Sequence, residues 1–132
     1  MTRLRSRFLA ASATLAVCLV STIALGGAVA SGTVYVQTYS GGGGYFEGGF
    51  WGARNSSDSS QTIGCEIVPG SSPFAYCFGE TSSGVYASCT TTNAQQVAAL
   101  AGLNESSFLS VDFNSAGTCT SFTLDSISYF VP

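Results

Sequence analysis

Cys65-Glu66-Ile67-Val68-Pro69-Gly70-Ser71-Ser72-Pro73-Phe74-Ala75-Tyr76-Cys77-Phe78-Gly79-Glu80-Thr81-Ser82-Ser83-Gly84-Val85-Tyr86-Ala87-Ser88-Cys89 is the stretch on which the fold turns. Its three cysteines stand twelve residues apart, each inside a run rich in β-branched and aromatic residues. Between the runs lie Val68 to Pro73 and Gly79 to Gly84, both made of turn-forming residues. Short strands joined by tight loops, each with a thiol near its middle, predict a stapled antiparallel meander.

The chain ahead of this stretch begins with an address. Arg3, Arg5 and Arg7 precede an uncharged apolar run from Phe8 to Leu25, and Ala28-Val29-Ala30 supplies the small-x-small pattern of a cleavage site. Residues 1–30 therefore read as a signal peptide, and residues 31–132 as one exported domain. The apolar run would also just span a bilayer, so the domain meets a membrane only if the leader is retained as an anchor. Leu15-Ala16-Val17-Cys18 departs from a lipoprotein box at the bulky Val17.

Charge narrows the partners. Beyond the leader one cation, Arg54, faces seven acids, giving −6 over residues 31–132. One cation cannot neutralise a row of phosphates, so nucleic acid is excluded as a partner. Four cysteines remain for an oxidising compartment, an even number. They lack a Cys-x-x-Cys pair and the chain has no His, so a zinc site is disfavoured.

In order, Thr33 to Tyr39 alternates, with Val34 and Val36 on one face and Tyr35, Gln37 and Tyr39 on the other. Gly41 to Gly44 breaks the pattern, leaving a loop of free conformation. Tyr45 to Arg54 is aromatic but interrupted by Gly48-Gly49, which predicts a weak, bulged or edge strand. Residues 61–68, 74–78 and 85–92 are the cysteine-bearing strands, with Ile63 and Ile67 on the face of Cys65. Asn93 begins one short helix as N-cap, Gln96 completes a capping box, and Gly102 stands past its end.

Leu109, Val111 and Phe113 form the inward face of the next strand, and Asn114 to Gly117 a hairpin loop. Residues 118–131 are too long for one flat strand and should bend near Asp125-Ser126, with Ile127, Tyr129 and Val131 closing an edge. Seven or eight strands and one short helix predict an all-β fold, an antiparallel β-sandwich or flattened barrel with two disulfides.

Four thiols allow three pairings. Cys77 stands symmetrically to both Cys65 and Cys89, so hairpin geometry alone does not choose. Cys65–Cys77 with Cys89–Cys119 is the favoured pairing, because the second bridge would close a long loop.

Chemistry is limited by absence. With no His and no Lys, the chain holds no Ser-His-Asp triad, imidazole metal site or lysine Schiff base of its own. No cofactor is implied. Two carboxylates could support glycoside hydrolysis, with Glu47 among aromatics as the first candidate, although a solvated edge-strand acid is the stronger explanation of it. Asp112 and Asn114 could ligate calcium, or serve the turn. Asn55 and Asn104 match a glycosylation sequon that matters only in a eukaryote.

The expected working surface is aromatic: Tyr35, Tyr39, Tyr45 and Trp51, with Phe46 and Phe50 nearby. Rings separated by glycines offer flat faces to carbohydrate or protein. The alternative is that they fill the core. The sequence thus points to a non-enzymatic secreted or cell-surface module that binds an extracellular glycan or protein. A secreted enzyme inhibitor inserting the Pro69–Pro73 loop is the second reading, and a small two-carboxylate hydrolase the third.

Ile63-Gly64-Cys65, Cys77-Phe78, Cys89-Thr90-Thr91, Ser107-Phe108 and Gly117-Thr118-Cys119 together resemble a pattern in small secreted four-cysteine bacterial proteins. The resemblance spans residues 53–132 and implies an exported two-disulfide domain. It brings no activity and no site residues, and the Gly/aromatic segment before Ala53 lies outside it.

Overall fold

The computed structural model describes residues 32–127. The expected leader and the expected edge residues Tyr129 and Val131 lie outside them. Seven strands form: β1 (Tyr35–Thr38), β2 (Gly44–Gly49), β3 (Thr62–Val68), β4 (Phe74–Glu80), β5 (Tyr86–Thr91), β6 (Phe108–Phe113) and β7 (Cys119–Asp125). Helix α1 (Phe50–Arg54) follows β2, and helix α2 (Ala94–Leu100) follows β5.

Two antiparallel sheets result, a four-stranded one in the order β1-β2-β6-β7 and a three-stranded one in the order β3-β4-β5. They do not close into a barrel, so of the two expected architectures the sandwich is the one found. A single bridge between Thr90 and Thr118 links their edges.

Alternation decides what is buried. Val34, Val36, Phe46, Leu109 and Val111 face inward from the larger sheet; Ile63, Ala75, Cys77, Ala87 and Cys89 face them from the smaller. Phe46 is fully buried, and a methyl group placed on Gly79 would lie 3.0 Å from its ring. Gly79 was expected to open a turn. Instead β4 runs on to Glu80, because a strand residue without a side chain leaves the room that Phe46 fills.

The segment 45–54 also departs from expectation. β2 is an interior strand, paired with β1 and β6, rather than an edge. After Gly49 the chain turns once as α1, with the Phe50 amide donating to the Ser107 carbonyl at 3.0 Å. Glycines 41–44 make a defined hairpin turn: Gly42 donates to the Tyr39 carbonyl at 2.9 Å, and Gly42 and Gly43 take φ of 81° and 77°. These left-handed conformations suit glycine and strain other residues.

Helix α2 starts as its sequence suggests, with Asn93 Oδ1 accepting from the Gln95 and Gln96 amides. Gln96 does not close the capping box on Asn93 directly. Its Oε1 accepts from the Thr91 hydroxyl, which in turn accepts from the Asn93 amide at 3.1 Å. The Asn114–Gly117 hairpin forms as expected, and β7 ends at Asp125 where a bend was expected.

The cysteines pair as Cys65–Cys77 and Cys89–Cys119. Cys77 is in register with both Cys65 and Cys89, so the ambiguity in the sequence is real. It is resolved by the other sheet: Cys89 reaches across the sandwich to Cys119, at a Cα separation of 5.1 Å. Two disulfides are compatible with an oxidising extracellular or periplasmic compartment.

Candidate functional site: two outer sheet faces

On the larger sheet, the residues alternating with the core form an exposed face. One cross-strand row runs Tyr35, Glu47, Ser110, Thr123, and the next Gln37, Tyr45, Asp112, Ser121. The register thus places tyrosines, carboxylates and hydroxyls side by side. Tyr35 and Tyr45 have ring centroids 5.7 Å apart, and Tyr39, from the hairpin turn, stands 6.5 Å from Tyr45. Tyr35 and Tyr39 are half exposed, at 49% and 52%.

Polar contacts order the cluster. The Tyr35 hydroxyl donates to Gln37 Oε1 at 3.2 Å, and the Ser110 hydroxyl donates to Glu47 Oε2 at 3.3 Å. The Tyr45 hydroxyl is pushed above its ordinary pKa by partial loss of water, then by neighbouring Tyr35, Glu47 and Tyr39. It therefore stays a neutral donor and acceptor at physiological pH.

Three of the four expected contact residues come together here; Trp51 does not. It lies on α1, half buried, and makes no ring pair with the tyrosines among the described residues. The turn of α1 carries it away from the plane of β2. Phe46 and Phe50 belong to the core or pack against it, as the core alternative held. Glu47 and Asp112 occupy diagonal positions on neighbouring strands of the outer face. Asn114 Oδ1 accepts from the Ala116 and Thr118 amides at 3.0 Å, which makes it a turn residue.

The smaller sheet has an aromatic face that the sequence reading missed. Phe74, Tyr76 and Phe78 point outward from β4, between Ala75, Cys77 and Gly79 pointing in. Tyr76 and Phe78 have centroids 6.0 Å apart, and the Tyr76 and Tyr86 hydroxyls share a hydrogen bond of 2.6 Å. Hydrogen bonding from Ser88 and then Tyr86 lowers the Tyr76 pKa, while burial raises that of Tyr86. The signal was present in the strict large–small alternation of residues 74–79, overshadowed by the thiol.

Two clefts of about 420 and 440 Å³ flank Phe50. The first lies against Cys65, Ile67, Leu100 and Leu103; the second is bordered by Ile63, Arg54 and Glu105. Each is largely apolar, and Glu105 is the one carboxylate bordering them. Comparison with protein-family models, with curated proteins and with solved structures finds no match to this chain.

Proposed function

We propose that the chain is a secreted bacterial module that binds extracellular carbohydrate or protein without catalysing a reaction, through the tyrosine face of its four-stranded sheet. The observation that carries this reading is the gathering of Tyr35, Tyr39 and Tyr45 on one exposed surface beside Glu47, Ser110 and Asp112. A flat platform of rings with flanking acceptors suits stacking and hydrogen bonding. An open face lacks the enclosed, water-poor setting in which a carboxylate pair works best. Trp51, on α1, lies outside the ring pairs of this cluster.

The test is a Tyr35→Ala/Tyr45→Ala variant screened, beside the parent protein, against a glycan and cell-envelope array. With the circular dichroism spectrum unchanged, at least a tenfold loss of binding to whatever the parent retains is expected. Full retention would move the contact elsewhere.

A second reading rests on the β3–β4 hairpin. Pro69, Gly70, Ser71, Ser72 and Pro73 are all exposed at its tip, with the Cys65–Cys77 bridge bracing the strands behind them. A rigid protruding loop suits insertion into an enzyme cleft. Recovery of a stoichiometric enzyme with the protein from culture medium supports this reading; retention on polysaccharide supports the first.

A further inference from the structure

A sandwich strand ordinarily turns its large apolar side chains inward and polar ones out. Strand β4 does the reverse. Its inward residues are Ala75, Cys77 and Gly79, the last packed against Phe46, yet nothing in the core requires Phe74, Tyr76 and Phe78 on the other side. Helix α2 packs on the inner side, with Leu100 beside Cys65 and Ile67. Phe50 of α1 reaches this outer face at the β3 edge, where its ring would lie 3.6 Å from a Cβ on Gly64.

The surroundings of the ring stripe define what fits. Register places Thr62 and Glu66 along its β3 side, and Tyr86, Ser88 and Thr90 along its β5 side. Apolar ring faces are thus bordered by hydrogen-bonding groups, which matches a pyranose with its C–H face stacked and its substituents pointing sideways. The charged groups on the strands of the face are Glu66 and Glu80, both carboxylates; Arg54 of α1 borders the cleft at the Thr62 end, where Glu105 accompanies it. Arg and Met, which protein interfaces favour, are absent from those strands. A polyanionic glycan would be repelled; one bearing ammonium groups would be complementary.

We infer that the outer face of β3-β4-β5 binds a polysaccharide carrying free amino groups, stacked along Tyr76 and Phe78 with Glu66 opposite its ammonium groups. This site is separate from the tyrosine face of the other sheet and does not depend on it.

The experiment measures binding of the purified protein to a glucosamine oligosaccharide by calorimetry at low salt. N-acetylglucosamine and glucose oligomers of the same length and linkage serve as comparisons. The free-amine oligomer should bind at least tenfold more tightly than either, and the advantage should shrink with added salt. Tyr76→Ala/Phe78→Ala should lower its affinity at least tenfold. Glu66→Gln, an exposed change that leaves the sheet intact, should lower it several-fold. Asp125→Asn removes the same charge from β7 of the other sheet and should change nothing, as should Tyr45→Ala. No binding, equal binding of the acetylated oligomer, or equal effects of Glu66→Gln and Asp125→Asn would each overturn the inference. Loss with Tyr45→Ala alone would overturn it too, while supporting the tyrosine face of the larger sheet.

Discussion

Gly79 shows how much one missing side chain can decide. Its sequence context of Gly-Glu-Thr-Ser-Ser-Gly reads as a turn, yet it is a central strand residue facing Phe46. A Cβ there would stand 3.0 to 3.2 Å from three atoms of the Phe46 side chain, so the fully buried ring would have to shift by a few tenths of an ångström. Gly79→Ala should therefore cost about 1–3 kcal/mol, as overpacking does. A urea denaturation midpoint unchanged from the parent would show that the core can yield at this point. The contact was invisible in the sequence because Phe46 and Gly79 are 33 positions apart and meet only through sheet packing.

The loop of residues 55–61 between α1 and β3 illustrates the same point for an element. Asn55 to Ser60 read as a polar loop and Gln61 as the first residue of the next strand, and neither reading carries a specific network. Asp58 Oδ1 accepts from the Ser60 and Gln61 amides at 2.9 and 2.7 Å, and its Oδ2 accepts from Gln61 Nε2 at 2.6 Å. Gln61 Oε1 then accepts from the Val34 amide at 2.7 Å, tying the start of the first strand to the loop. The Gln61 side chain, followed by the Gln61 and Ser60 amides, holds the Asp58 carboxyl well below the usual carboxylate range.

A depressed folded-state pKa contributes stability that is fully present above the ordinary carboxylate value of about 4 and is lost as pH falls below it. Asp58→Asn should thus be less stable than the parent at neutral pH, with the difference shrinking as pH drops from about 4 toward 2. Urea midpoints for both proteins across pH 2–7 check this, and a constant gap would argue against the network.

At the scale of the molecule, the two cystines have unequal tasks. Cys65–Cys77 joins neighbouring strands of one sheet across 12 residues; Cys89–Cys119 joins the two sheets across 30. In the chain-entropy model these loops are worth about 3 and about 4 kcal/mol. Replacing Cys89 and Cys119 with Ala should therefore destabilise more than replacing Cys65 and Cys77, against a total stability of about 5–15 kcal/mol. Chemical denaturation of the two double variants gives the order, and a reversed order would place the greater weight on packing around Cys65. Both outer faces depend on this bridge only indirectly, since each is set by register within its own sheet.

Alternation, turn residues and thiol count were enough to establish a mostly antiparallel β-domain with a capped helix at Asn93 and an outward Tyr35 and Tyr39. These features follow from interactions within a few residues along the chain. Three things were left to tertiary structure: the partner of Cys77, which faces a thiol on either side; the fate of each aromatic from Tyr45 to Trp51; and the outward stripe of β4. Each depends on which strand, sheet or helix comes to lie opposite, and local preference carries no information about a partner supplied by distant chain.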